Sequence, residues 1–180
     1  MKRFLTAVAG LALATAVAGS TAEAQSTRPV SIGVAGGIAL PMGDFGDFFK
    51  SGYAVTGSVG FRPASVPFGI RGEVGYQSHD ADGADATWSI LSGTANAVFN
   101  FGSGASGVSP YFIAGVGMYR STLDMSGFGS DSETDFGFNG GVGMDFALSG
   151  FNTFVEARYH HVLTEDEATT FIPITFGIRF

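Results

Sequence analysis

The chain ends in the segment Phe171-Ile-Pro-Ile-Thr-Phe-Gly-Ile-Arg-Phe180, in which apolar and polar residues alternate. Its even positions are all Ile or Phe, and its odd positions from 173 onward are Pro, Thr, Gly and Arg. An alternation of period two predicts a β-strand with one apolar face and one polar face. If the apolar face lies in lipid, every backbone group must be paired, because an unpaired group in hydrocarbon is energetically costly. The segment therefore favours a strand that closes a ring with the first strand.

Seven further segments alternate in the same way, at residues 31–40, 53–62, 68–77, 89–101, 110–120, 134–148 and 153–162. Their lengths suit transmembrane strands, which need about 9–11 residues. Both faces of segment 110–120 are apolar, so its orientation stays open. The pattern predicts an all-β protein, an eight-stranded antiparallel up-and-down transmembrane β-barrel.

The connections alternate between short and long. Residues 63–67, 102–109 and 149–152 form short turns, whereas residues 41–52, 78–88, 121–133 and 163–170 form longer polar loops. Outer-membrane barrels have short periplasmic turns and longer extracellular loops. Both termini are therefore expected on the periplasmic side.

The beginning of the chain has the parts of a secretory signal peptide. Lys2 and Arg3 precede an apolar run over residues 4–18, and Ala22-Glu23-Ala24 forms an A-x-A cleavage site. The run is shorter than the roughly 20 apolar residues of a membrane-spanning helix. We predict a signal peptide over residues 1–24 and a barrel domain over residues 25–180, exported through the periplasm to the outer membrane.

The composition excludes several classes of protein. The chain has no Cys, so neither a disulfide framework nor a thiolate metal site is available. It carries nine basic and sixteen acidic side chains, of which the leader holds Lys2, Arg3 and Glu23. A barrel this acidic lacks the basic surface that nucleic acid requires, so we expect no nucleic-acid partner.

Together these features resemble the eight-stranded outer-membrane barrel family that includes the OmpA transmembrane domain and the OmpX and Ail-type proteins. The resemblance rests on the leader, the alternating strands, segments such as Pro110-Tyr-Phe-Ile-Ala-Gly-Val-Gly-Met118, and the terminal Phe180. It implies that Phe180 is the assembly signal read by the outer-membrane assembly machinery. It further implies a monomer in outer-membrane lipid and lipopolysaccharide, with an extracellular protein as partner.

Aromatic residues collect near the strand ends, as the girdles of membrane barrels do. The expected periplasmic girdle comprises Phe61, Phe68, Phe99, Tyr111, Phe146 and Phe180, and the expected outer girdle comprises Tyr53, Tyr76, Tyr119, Phe136, Tyr159 and Phe171.

The polar faces of the strands would place three acidic and three basic side chains in the lumen: Arg71, Glu73, Asp145, Glu156, Arg158 and Arg179. Unpaired charges in a narrow interior would be costly, whereas balanced charges can pair. Two roles are open, a gated ion path and a structural plug. The plug is favoured, because eight strands leave an interior just wide enough for side chains to fill.

Most of the remaining carboxylates fall in the four long loops. They are Asp44, Asp47, Asp80, Asp82, Asp85, Asp124, Asp131, Glu133, Asp135, Glu165, Asp166 and Glu167, of which Asp135 lies at a strand boundary. Such an acidic rim would steer basic partners and repel anionic ones, including lipopolysaccharide phosphates not bridged by divalent cations. Asp80, Asp82 and Asp85 could together hold Ca²⁺, but they lack the ligand spacing of an EF-hand, and a solvated loop tip is the simpler interpretation.

No segment predicts an enzyme, a cofactor or a metal centre. His160 and His161 are neighbours in a strand, so they face opposite sides and cannot chelate one ion together. Ser78-His79 lacks a nucleophile, base and orienting group at a usable spacing. The function expected is a non-enzymatic outer-membrane anchor whose loops serve envelope integrity or surface adhesion. Two alternatives are a small-solute channel and a lipocalin-like periplasmic binding barrel.

Overall fold

The computed structural model describes residues 29–63, 66–81, 86–101, 107–125, 129–164 and 168–180. These residues form eight strands and one short helix. In chain order they are β1 (Val30–Met42), α1 (Asp44–Phe48), β2 (Gly52–Phe61), β3 (Gly69–Asp80), β4 (Ala86–Asn100), β5 (Val108–Met125), β6 (Gly129–Ala147), β7 (Asn152–Val162) and β8 (Thr169–Arg179). The predicted leader, residues 1–24, lies outside the described residues.

The strands form a closed antiparallel barrel in which each strand pairs with the next and β8 pairs with β1. The ring closes at the terminal residue, because Ile32 N donates to Phe180 O at 3.0 Å and Phe180 N donates to Ile32 O at 2.9 Å. The prediction of an eight-stranded up-and-down barrel is therefore confirmed. Within the described residues, no helix is both long enough and apolar enough to cross a membrane.

Apolar side chains cover the outer surface of the barrel. Val74 on β3 is 63% exposed and Phe176 on β8 is 58% exposed, whereas the alternate positions of the same strands face inward. The open orientation of segment 110–120 is settled in β5, where Tyr111 and Tyr119 face the lumen and Val116 faces outward. This outer surface suits contact with lipid, and the polar groups lie inside.

Three residues assigned to the aromatic girdles lie inside the barrel instead. Tyr111, Tyr119 and Phe171 are each at most 2% exposed, so their assignment to the girdles was wrong. Each occupies an odd position on a strand whose even positions face outward, and the alternation of the strand outweighs its position near a strand end. Tyr53, Tyr76, Phe136 and Tyr159 do point outward near the outer end of the barrel.

The longest predicted loop, residues 121–133, is mostly strand. β5 has 18 residues and β6 has 19, and their pairing continues outward to Met125 and Gly129. At about 3.3 Å per residue, each strand is far longer than the apolar band of about 25 Å that a barrel presents to lipid. The polar residues of this segment therefore belong to a hairpin that extends into water, and its two strands remain hydrogen-bonded to each other along this length.

The predicted loop over residues 41–52 contains α1. The helix begins directly after Gly43, which has a φ of 59°, and its Phe45 is buried while Phe48 is 66% exposed. Glycine adopts a positive φ without the clash that a Cβ would cause. The helix thereby turns back from the end of β1 toward the mouth of the barrel.

Candidate functional site

Two arginines and two glutamates meet in the centre of the lumen. Arg71 and Glu73 lie two residues apart on β3, and Glu156 and Arg158 lie two residues apart on β7, so each pair shares the inner face of its strand. Arg71 Nη2 donates to Glu156 Oε2, and Arg158 Nη1 donates to Glu73 Oε2. These bonds cross the lumen between β3 and β7. We call the four residues the central ion network.

Every carboxylate of the central ion network contacts both arginines. Arg71 Nε lies 3.2 Å from Glu73 Oε1, and Arg158 Nη2 lies 2.5 Å from Glu156 Oε1. The four side chains are at most 8% exposed. Two positive and two negative charges balance, which offsets the large cost of removing them from water.

Neutral side chains add hydrogen bonds to the carboxylates of the network. Tyr111 Oη donates to Glu156 Oε2 at 2.7 Å, and Asn96 Nδ2 donates to Glu73 Oε2 at 2.9 Å. Neither residue was predicted as part of the site. Asn96 on β4 and Tyr111 on β5 both occupy positions whose alternation along the strand turns them toward the lumen, and this pattern could have identified them. The apolar residues on both faces of β5 obscured the pattern.

Arg179 and Asp145 form a separate pair. Arg179 Nη1 donates to Asp145 Oδ1 at 2.8 Å, and the guanidinium lies 4.5 Å from the ring centre of Phe154. The Tyr111 ring lies between this pair and the network, 6.0 Å from the Arg179 guanidinium and 5.8 Å from that of Arg71. The structure thus divides the six predicted lumen charges into a network of four and a pair of two.

Glycines on neighbouring strands make room for the aromatic rings of the lumen. A Cβ added to Gly143 would overlap the ring of Tyr111, and one added to Gly177 would overlap the ring of Phe154. Both glycines lie on strands, where glycine weakens the ladder unless a close approach requires it. The two glycines thereby allow aromatic rings to fill the periplasmic half of this narrow barrel.

A layer of aromatic rings crosses the lumen on the extracellular side of the central ion network. Tyr119 Oη lies 2.9 Å from His160 Nδ1, and the His160 ring stacks on Phe171 at 4.8 Å between ring centres. A cavity of about 40 Å³, lined by residues that include Gln77, separates this layer from the network. A space of that size has room for about two or three waters.

The histidines of the chain lie apart. His160 faces the lumen, whereas His161 faces outward beside the ring of Phe138, with 4.8 Å between ring centres. His79 is fully buried at the mouth, where its Nδ1 lies 3.0 Å from the carbonyl oxygen of Lys50. Among the residues that the structure describes, no group of three or more His, Cys, Asp and Glu is arranged to hold a metal ion.

The predicted acidic rim is carried partly by strands. Asp80 ends β3, while Asp131 and Glu133 lie in the outer part of β6, and all three are exposed. Asp124 lies in β5, so the assignment of Asp80, Asp124, Asp131 and Glu133 to loops was wrong, whereas Asp135 lies in β6, as the predicted strand segment 134–148 implies. Asp82, Asp85, Glu165, Asp166 and Glu167 lie outside the described residues.

Among the described residues, one edge of β6 has no partner strand near its outer end. β7 pairs with β6 only as far as Gly137, although β5 accompanies β6 to Gly129. Within the described part of the chain, β6 therefore has no second partner strand from residue 129 to residue 135. Asp131 Oδ1 accepts a bond from Ser132 N at 2.9 Å, so a side chain satisfies one of the backbone groups there.

A closed barrel with an apolar outside and a charged inside defines an integral membrane β-barrel protein. The chain belongs to the family of the outer membrane protein beta-barrel domain, whose profile matches residues 9–180. It is an outer-membrane β-barrel, so the predicted family and the outer-membrane location are confirmed, and export after cleavage of the leader stays a prediction. No curated relative matches the chain.

Solved structures with the same fold include Neisserial surface protein A, at 19% identity and a TM-score of 0.68 over 86% of this chain and 98% of that one. Ail of Yersinia pestis in complex with the heparin analogue sucrose octasulfate is similar at 22% identity and a TM-score of 0.51, over 84% and 96%. The N-terminal barrel of Pseudomonas aeruginosa OprF has 17% identity and a TM-score of 0.50, over 85% and 98%.

Proposed function

We propose that this protein is a non-enzymatic anchor in the outer membrane that binds a basic extracellular partner through the outer part of its β5–β6 hairpin. The observation that carries the proposal is the acidic edge of β6 over residues 129–135, with which no strand among the described residues pairs. An exposed strand edge is a template for an added strand, and natural proteins protect such edges unless they use them.

The direction of the backbone groups supports strand addition. Phe136 O accepts a bond from Leu163 N at 2.9 Å, so the backbone groups of Phe136 point away from β5. Residues two apart in an antiparallel strand point the same way, and the groups of Thr134 therefore face the open edge. An extended peptide that pairs there would continue the sheet formed by β4, β5 and β6.

The side chains of the edge select for positive charge. Asp131 and Glu133 are exposed and two residues apart, so they share one face of the strand. A paired peptide with Lys or Arg at alternate positions would place its charges opposite them. The sucrose octasulfate bound by Ail is a polyanion, and the acidic hairpin of the present protein should repel such a compound.

The lumen gives no support to the channel function. The central ion network crosses the barrel, and rings of Tyr111, Tyr119 and Phe171 fill the space on either side of it. A soluble lipocalin-like barrel does not fit the apolar outer surface or the outer-membrane family.

The test measures binding of an alternating Lys-Thr peptide to the protein in lipid nanodiscs. We expect binding that weakens with salt, because exposed charges are screened over about 8 Å at physiological ionic strength. Thr134→Pro should abolish it by removing an edge donor, and Asp131→Asn with Glu133→Gln should weaken it. Asp124→Asn, an exposed carboxylate on the neighbouring strand β5, serves as the control. Equal binding by all variants, each verified as folded by its electrophoretic mobility, would refute strand addition.

A further inference from the structure

Helix α1 and the following Phe49 lie over the outer mouth of the barrel, and we call residues 44–49 the lid. The Phe45 ring lies edge-on to His79 at 5.4 Å and to Trp88 at 5.5 Å between ring centres. Phe49 contacts Trp88 at 5.2 Å and Phe45 at 4.9 Å. The lid is therefore held against β3 and β4 by contacts between aromatic rings.

His79 also bonds the backbone directly after the lid. Its Nδ1 lies 3.0 Å from the carbonyl oxygen of Lys50, and Lys50 N donates to Asp80 O at 2.9 Å. A carbonyl oxygen can only accept, so His79 Nδ1 carries the hydrogen of this bond. The helix has five residues and no side-chain hydrogen bond at its N-cap, and a helix of that length is not stable alone. The closed position of the lid therefore depends on the rings and on His79.

The site of His79 suits a neutral ring and not a charged one. The residue is fully buried, and its Nε2 has no hydrogen-bond partner among the described residues. A proton added at Nε2 would create a buried positive charge and an N–H group without an acceptor. Both are costly away from water, so the closed lid favours the neutral imidazole.

Neither ring nitrogen of His79 contacts a carboxylate among the described residues. The adjacent strands β2 and β4 contain no Asp, Glu, Lys or Arg, and Tyr53 of β2 points outward. Asp80 follows His79 on β3, so it points to the opposite face, and it is exposed. Asp47 and Lys50, on the side of the lid, are exposed as well. An imidazolium under the closed lid would therefore lack a compensating charge in contact with it.

We propose that the lid is an acid-sensitive cover of the barrel mouth, which is closed while His79 is neutral and opens when His79 is protonated. Opening transfers the imidazolium to water and uncovers Trp88. An imidazole in water has a pKa of about 6.5, so the closed lid is most stable above that pH and loses stability as the pH falls below it. The lid is separate from the edge of β6, so this inference does not depend on the proposed function.

The chain provides its own probe, because Trp88 is its only tryptophan. The experiment measures how strongly acrylamide, a neutral quencher, reduces Trp88 emission in the full protein in lipid nanodiscs between pH 7.5 and pH 5.5. Binding of one proton with a pKa of about 6.5 raises the ratio of open to closed lid by about tenfold over this interval. We expect the quenching constant to rise reversibly as the pH falls.

The amide of Lys50 gives a second measurement that needs no variant. Its bond to Asp80 O belongs to the closed lid, so its protection from hydrogen exchange reports the same opening. After correction for the intrinsic exchange rate, this protection should fall by about tenfold between pH 7.5 and pH 5.5.

Variants test whether His79 is the group that titrates. His79→Gln keeps a neutral side chain that can donate to the Lys50 carbonyl oxygen, so quenching should no longer depend on pH. His161→Gln removes an imidazole that faces outward beside Phe138, and it should keep the wild-type transition. Each variant is verified as folded by its electrophoretic mobility.

Variants of the lid test what is uncovered. Phe45→Ala should give strong quenching of Trp88 at both pH values, because the lid loses the ring that holds it closed. Phe48→Ala, on the exposed side of the same helix, should behave as the wild type. Quenching and Lys50 protection that do not change with pH in the wild type would overturn the proposal. An unchanged transition in folded His79→Gln would overturn it as well.

Discussion

Removal of Glu156 should destabilise the barrel strongly. Its carboxylate pairs with Arg71 and Arg158 and accepts a hydrogen bond from Tyr111, and the residue is only 3% exposed. In Glu156→Ala both arginines would share the single charge of Glu73. Breaking a buried pair by removing one partner costs about 3–5 kcal/mol, because the other charge is left uncompensated.

The double variant measures the pairing itself. Glu156→Ala with Arg71→Ala leaves one acid and one base in the network, Glu73 with Arg158, so charge balance returns. The double variant should lose less unfolding free energy than the two single variants lose together. The difference between these two values, which is the interaction energy of the pair, should be about 0.5–3 kcal/mol. Urea unfolding in lipid vesicles, followed by Trp88 fluorescence and by electrophoretic mobility, measures all three variants.

The control variant is Arg120→Ala. Arg120 is exposed and faces outward on β5, where it donates to Ser132 Oγ at 2.9 Å. Combined with Glu156→Ala, it should be additive within about 0.3–0.5 kcal/mol, as distant sites are. If Glu156→Ala were equally additive with Arg71→Ala and with Arg158→Ala, the central ion network would not be a coupled structural unit.

Three further outcomes are expected. Deleting Phe180 should lower the amount of protein in the outer membrane, because the residue closes the ring with Ile32 and is the implied assembly signal; cell fractionation measures this. Gly143→Val should cost about 1–3 kcal/mol by collision with Tyr111. Gly140→Val, whose added Cβ meets only one backbone oxygen at 3.9 Å on the outer face of β6, should be tolerated in the same urea experiment. Mass spectrometry of the mature protein should show a chain that begins at Gln25, since cleavage is expected after Ala24.

The alternation of residues was sufficient to predict the strands and most of their outward faces. In a strand, the face of a side chain depends only on local geometry, so the pattern of β8 could be read without knowledge of its neighbours. The inward faces of Arg71, Glu156 and Arg179 followed from the same rule. The outer part of the β5–β6 hairpin could not be predicted from this rule, because polar residues in a loop and polar residues in a solvent-exposed pair of strands look alike in sequence.

Only the closed barrel determined which inward residues meet. Arg71 and Glu156 are 85 residues apart in the chain, and their contact depends on the stagger accumulated over the strands between β3 and β7. The position of Phe45 over His79 and Trp88 likewise requires the first loop to fold back across a finished mouth. The alternation determines the face of each residue, but its height in the lumen depends on the pairing of all eight strands, which no single segment encodes.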